Sequence, residues 1–126
     1  MSDQLATNVG HLMAPAQKGL LGRLRRGIEK EGLRVDPKGS IVQTAHPHAL
    51  GSKLTHPHIT TDYSEALLEY ITPVYCRPGD ALAFLGDLVR FTYRQLDGTD
   101  EWLWPASMPA RLDGNDSIPL ADYGTS

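Results

Sequence analysis

The sequence predicts a mixed α+β fold, and three stretches predict it. The first is a hairpin around Asp36-Pro37-Lys38-Gly39, with Asp, Pro and Gly at the first, second and fourth positions of a type I turn. The second is an apolar, β-branched run over 66–72 that ends at Pro73 and reads as a strand. The third is an amphipathic helix over 79–96. Twelve glycines and nine prolines in 126 residues place much of the remaining chain in loops around these elements.

Each element has its own justification. Leu5, Val9, Leu12, Leu20 and Leu21 carry the apolar pattern of the first stretch, and Pro15 interrupts it; the expectation is a short helix to about residue 13, then a loop. Residues 24–35 form the first strand, and Ser40-Ile41-Val42-Gln43 returns across the turn as its partner. Residues 44–61 hold no period and contain two His-Pro-His units, His46/His48 and His56/His58. Their spacing matches no structural zinc site and no cysteine supports one, so they are expected as surface loop histidines. In the helix, Leu82, Leu85, Leu88, Val89 and Leu96 recur as a core stripe flanked by Phe84 and Phe91. Pro78 and Asp80 suit its first turn and Gly98 its exit. Trp102-Leu103-Trp104-Pro105 is a rigid apolar segment that lines a pocket or covers the sheet.

Chemistry concentrates on acids. In a strand Glu29 and Glu31 point the same way, with Leu33 and Val35 following on that face. Two adjacent carboxylates repel unless a positive charge sits between them, and hard oxygens suit Mg²⁺ or Mn²⁺. A solvated strand face is the plainer alternative for an isolated Glu-x-Glu. A second acidic stretch runs from Asp62 to Val74. Helical spacing would align Asp62, Glu65 and Glu69, but the apolar back half favours a strand with Leu67, Glu69 and Ile71 on one face. Glu69 among large apolar residues calls for a partner: Arg34, Arg94, a metal or a ligand.

Composition narrows the class. With 40% hydrophobic and 21% charged residues the chain is ordinary for one soluble domain. A net charge of −3 leaves no footprint for nucleic acid. No apolar run approaches a membrane span, and the N-terminus lacks signal-peptide character, which makes the cytoplasm the expected location. The single Cys76 excludes an internal disulfide.

Four segments, RGIEKEGLRV, HPHALGSKLTHPHITTDYSEALLEYITPV, WPASMP and YGTS, occur here in the order found in proteobacterial-type glutamate–cysteine ligases, and the chain resembles that family from about Arg25 to its last residue. The resemblance does not take in the first twenty or so residues. It implies ATP-dependent joining of the γ-carboxylate of L-glutamate to L-cysteine through an acyl phosphate, the first step of glutathione biosynthesis. It also implies a fold similar to the glutamine synthetase catalytic domain: a curved, mainly antiparallel sheet with a concave functional face and packed helices. By motif, Glu29, Glu31, Asp62 and Glu69 would be ligands for Mg²⁺ or Mn²⁺, and Tyr63 would lie near the bound amino acid. Glu65 belongs to the motif without a role. Family members are several times longer, so residues 1–126 are expected to be the N-terminal portion of a single ligase catalytic domain, with glutamate, cysteine and ATP as small-molecule partners and the C-terminal part as a further one.

Two other classes compete. A non-catalytic relic or interaction module derived from the ligase would use its exposed edge and the tryptophan segment, without a metal. A glycosidase acid–base pair is disfavoured because Glu29 and Glu31 share one strand and cannot flank a sugar bond.

Overall fold

A four-stranded antiparallel sheet, in the order β2-β3-β1-β4, is the frame of the molecule. The computed structural model describes residues 2–109 and 111–124. The strands are β1 (Glu29–Val35), β2 (Ile59–Thr61), β3 (Leu67–Ile71) and β4 (Trp102–Leu103). The helices are α1 (Ser2–Gln17) and α2 (Pro78–Gln95). The α+β class is thus as the sequence predicts. Glutamate residues face each other at its centre: in the β1–β3 ladder Glu31 lies opposite Glu69, Glu29 opposite Ile71 and Leu33 opposite Leu67.

The pleat sorts β3 cleanly. Leu68 and Tyr70 are buried, while Leu67, Glu69 and Ile71 are half-buried on the other face. Leu68 and Tyr70 join Ile59, Leu50 and Leu85 in the main core, with Ile28, Leu88, Val89 and Leu103 packed around them. Each such side chain removed from water contributes about 1.5–3 kcal/mol. The Tyr70 hydroxyl donates to Thr92 Oγ1 at 3.2 Å. Burial pushes its pKa up to about 12. Because α2 covers this face, the face carrying Glu31 and Glu69 is the one turned away from the helix.

The buried face of α2 is Ala81, Leu85 and Thr92, not the full leucine stripe. Leu82 is 63% exposed, because the stripe centred on residues 81, 85, 88 and 92 leaves position 82 off the contact line. Pro78 starts the helix and Asp80 sits in its first turn, as the sequence suggests. The exit is made by the Leu96 N–H bonded to Thr92 O, ahead of Gly98 at φ +79°.

Several boundaries differ from expectation. Helix α1 runs through Pro15 to Gln17, and the turn across the proline still closes with the Lys18 N–H on Ala14 O at 3.3 Å. Strand β1 starts at Glu29 rather than 24; before it Arg26 bridges Tyr75, and the Ile28 carbonyl accepts from the Thr72 N–H at 3.0 Å. The Ile28 N–H is instead taken by Thr72 Oγ1 at 2.8 Å. The turn at Asp36 forms, with Gly39 N–H bonded to Asp36 O at 2.9 Å and Gly39 at φ +81°. Its return strand shrinks to a single bridge, Val35 to Ile41. Beyond that bridge the chain is drawn aside: the Arg34 guanidinium takes the Thr44 side chain and the carbonyls of Thr44 and Ala45.

His48 is exposed, as expected of a loop histidine, but the other three of the His-Pro-His units are drawn into the fold. His46 is 9% exposed, with its N–H on Glu65 Oε1 at 2.8 Å and its Nδ1 2.9 Å from Thr61 Oγ1. His56 Nδ1 accepts from the backbone N–H groups of His58 and Ile59. His58 Nδ1 lies 2.9 Å from Ile71 O. The repeated His-Pro-His units therefore organise the long connection into β2. Among the described residues no helix is long and apolar enough to cross a membrane.

Candidate functional site

The site is assembled from two adjoining strands. Glu29 and Glu31 come from β1 and Glu69 from β3, with Glu31 and Glu69 in direct cross-strand register. On the other side of β3, Thr60 of β2 pairs with Glu69. Asp62 is two residues on from Thr60, so the alternation of the strand returns it to the Glu69 face. Four carboxylates thus share the sheet face opposite α2.

Their electrostatics confirm the proximity. The Glu69 carboxyl is held above its ordinary value of 4.5, first by burial and then by the negative charges of Asp62, Glu29 and Glu31. Among the described residues none of the four carboxylates makes a hydrogen bond or ion pair. Neither arginine suggested for Glu69 pairs with it among the described residues: Arg94 is exposed on α2, and the Arg34 guanidinium is fully buried elsewhere, bonded to Glu101, Thr44 and the carbonyls of Thr44, Ala45 and Glu65. The Lys30 ammonium reaches the Glu31 carbonyl rather than a carboxylate.

A cavity of about 680 Å³ opens beside the first two acids. It is lined by Glu29 and Glu31, by the apolar side chains of Leu33, Ile41 and Leu67, and by Ser107. Asp62 and Glu69 are not among its walls. Tyr63 is 84% exposed, its side chain standing out into solvent. The rigid segment after β4 both covers and lines: Leu103 packs into the core, while Trp104 and Pro105 bound a smaller apolar cavity with Tyr70, Val89 and Tyr93.

A neighbouring acid does the opposite of the four. Glu65 is 6% exposed, and both its oxygens accept from Lys53 Nζ at 2.7 Å. They also accept from the backbone N–H groups of His46 and Asp122. Although burial raises its carboxyl, these bonds together leave it below 4.5. Sequence reasoning had no role for Glu65; its position directly before an apolar strand was the only signal, and its partner Lys53 lies in a stretch without period. Glu65 ties together the connection into β2, the β2–β3 turn and the returning segment 119–124.

The donor set suits a hard divalent cation. As they lie, no three of the described Asp, Glu, His or Cys side chains form a ready-made chelate, so binding would require the carboxylates to rotate inward. Side-chain rotation is the accessible motion here, because the four acids are unpartnered while the strands beneath them are fixed by the ladder.

A family model described as glutamate-cysteine ligase matches residues 9–126. The chain belongs to the glutamate–cysteine ligase family. The similarity begins earlier than the motifs suggested. A glutamate–cysteine ligase of Pseudomonas aeruginosa strain LESB58 is 52% identical over all 126 residues, and one of Hahella chejuensis is equally so. The chain spans 24% of the length of each of these curated relatives. Among solved structures, a glutamate–cysteine ligase from Francisella tularensis in complex with AMP is similar at a TM-score of 0.75 and 40% identity, over 81% of this chain and 20% of that one. A bifunctional glutathione synthetase from Pasteurella multocida matches at 0.77 and 38%, over 88% of this chain and 15% of its own.

Proposed function

We propose that this chain forms the acidic part of the active site of an ATP-dependent ligase joining the γ-carboxylate of L-glutamate to L-cysteine, the first step of glutathione biosynthesis. The observation that carries the reading is the set of four unpaired carboxylates on one sheet face of a glutamate–cysteine ligase family member. Glu29, Glu31, Asp62 and Glu69 would hold Mg²⁺ or Mn²⁺. When bound, such a cation neutralises charge on the phosphoryl group that passes from ATP to the glutamate side chain. The AMP complex of the Francisella relative supports nucleotide as the second ligand. Tyr63, exposed beside Asp62, would lie near the bound amino acid. The remaining length of a full ligase would complete the site as the chain's partner, in the cytoplasm.

Within this reading the chain's own residues do three things. The β1–β3 ladder fixes the spacing of Glu31 and Glu69, and Leu33, Ile41 and Leu67 line the cavity beside Glu29 and Glu31. The accumulated negative charge makes the face attractive to a divalent ion and repellent to an uncomplexed polyphosphate.

The test is Mn²⁺ binding followed by electron paramagnetic resonance on the 126-residue chain, beside Glu31→Gln and Glu69→Gln. Saturable binding that weakens about tenfold or more in either variant is expected, since each removes a charged ligand. A non-saturating signal equal in all three proteins would overturn the reading.

A further inference from the structure

Asp62 lies at a weak place. It follows the last residue of β2, and its N–H reaches Leu67 O only at 3.3 Å, where the ladder is ending. A carboxylate that must meet three others needs a fixed backbone beneath it. That backbone is held from outside the sheet. The Tyr123 hydroxyl lies 2.7 Å from Thr61 O and 3.1 Å from Asp62 O, so its single proton is directed mainly to the first and shared with the second. These two carbonyls belong to the peptide units on either side of the Asp62 Cα. Holding both restricts the two backbone torsions that aim the Asp62 side chain.

The clamp is itself anchored. The Asp122 N–H donates to Glu65 Oε2 at 2.7 Å and the Ala121 N–H to Tyr63 O at 3.0 Å. The Lys53 ammonium, already paired with Glu65, lies 5.5 Å from the centre of the Tyr123 ring, within cation–π range. The paired acid at the rim therefore fixes the tyrosine, and the tyrosine fixes the backbone of an unpaired acid.

We propose that Tyr123 is a positioning residue for Asp62, acting through the hydroxyl clamp on the two carbonyls that flank it. This rests on the reading of the acidic face as a divalent-cation site. Removing a group that orients a ligand typically lowers metal affinity 10–100-fold. Tyr123 is 47% exposed and clamps a strand end rather than a ladder, so the low end of that range applies.

The experiment uses Tyr123→Phe, which deletes the hydroxyl and keeps the ring under Lys53. Two measurements are made on the 126-residue chain. The first, without metal, is the amide order parameter of Asp62 and Tyr63 by nitrogen-15 relaxation. A fall at both amides, with those of β3 unchanged, is expected; values equal to the parent's would overturn the clamp. The second is Mn²⁺ affinity, with Glu69→Gln as reference. The expected result is a roughly tenfold loss in Tyr123→Phe at a melting temperature within a few degrees of the parent. If Glu69→Gln loses Mn²⁺ affinity and Tyr123→Phe does not, the positioning role falls while the cation site stands. If neither differs from the parent, the cation reading falls, and the relaxation measurement still decides whether the clamp exists.

Discussion

Replacing Glu69 by Gln should stabilise the metal-free protein at neutral pH, an unusual outcome for a half-buried position in a central strand. Glu69 faces Glu31 directly, with Glu29 and Asp62 at the diagonal positions of the flanking strands. Like charges directly opposite in an antiparallel pair cost up to about 1 kcal/mol, and diagonal ones less. No cation offsets this, so relief of about 1 kcal/mol is expected, equivalent to a rise in melting temperature of about 3–6 °C for a chain of this size. The sign follows from linkage. The Glu69 carboxyl is raised above 4.5 in the folded state, so the native protein holds its proton more tightly than the unfolded chain does. Stability from this group is therefore full below 4.5 and is lost as pH rises through the folded value. The advantage of Glu69→Gln should appear at pH 7 and vanish near pH 4. Thermal unfolding in chelator-containing buffer at the two pH values measures it. A variant less stable than the parent at pH 7 would mean that Glu69 has a positive partner, and the account of the acidic face would fail. Saturating Mn²⁺ should reverse the order, since a ligand at 100 times its dissociation constant adds about 2.7 kcal/mol to the protein that binds it.

Other substitutions separate the supporting structure from the site. Glu65→Gln should destabilise by about 2–4 kcal/mol, because it leaves the Lys53 ammonium without its charge partner in a nearly buried position; equilibrium urea unfolding reads the change. Glu65 is held below 4.5, so its contribution is present above that pH and lost as pH falls through the folded value; acid unfolding of the parent should steepen there, and that of Glu65→Gln should not. Arg34→Met should cost about 3–5 kcal/mol, since it strands Glu101 and the carbonyls of Thr44, Ala45 and Glu65, and is measured the same way. Gly51→Ala should lower the melting temperature by several degrees. Gly51 sits at φ +86°, and an added Cβ would lie 3.2 Å from the His56 ring.

The acidic face was legible because strand alternation is a local rule. Glu29 and Glu31 two residues apart, and Glu69 between Leu67 and Ile71, fix which side each acid takes once the strands form. Their register across β1 and β3 was not legible, since nothing within either strand specifies that Glu31 meets Glu69 rather than Ile71. The same limit explains why His46 was expected on the surface. His46 is buried because Glu65 and Thr61, 19 and 15 residues away, receive its N–H and lie against its ring. Arg34 carried a usable signal, a guanidinium between Leu33 and Val35 in a strand. Its charge partner Glu101 lies 67 residues further on, and no short-range pattern reaches that far. The helix boundaries followed from Pro78 and the apolar period, while the exact buried face of α2 depended on which residues of the sheet it met.

The contrast between paired and unpaired acids is the physical logic of this chain. Glu65 and Glu101 are deeply placed and fully engaged with Lys53 and Arg34, which fixes the loops around the sheet. Among the described residues, Glu29, Glu31, Asp62 and Glu69 have no hydrogen-bond or ion-pair partner on the sheet face opposite α2. Had the fold needed only stability, an arginine on that face would have relieved the repulsion at little cost. Arg34 is adjacent in the same strand, but the pleat points it to the other side, where it is consumed by structure. Glu69 on this face carries a repulsion from Asp62, Glu29 and Glu31 that the proposed divalent ion would remove.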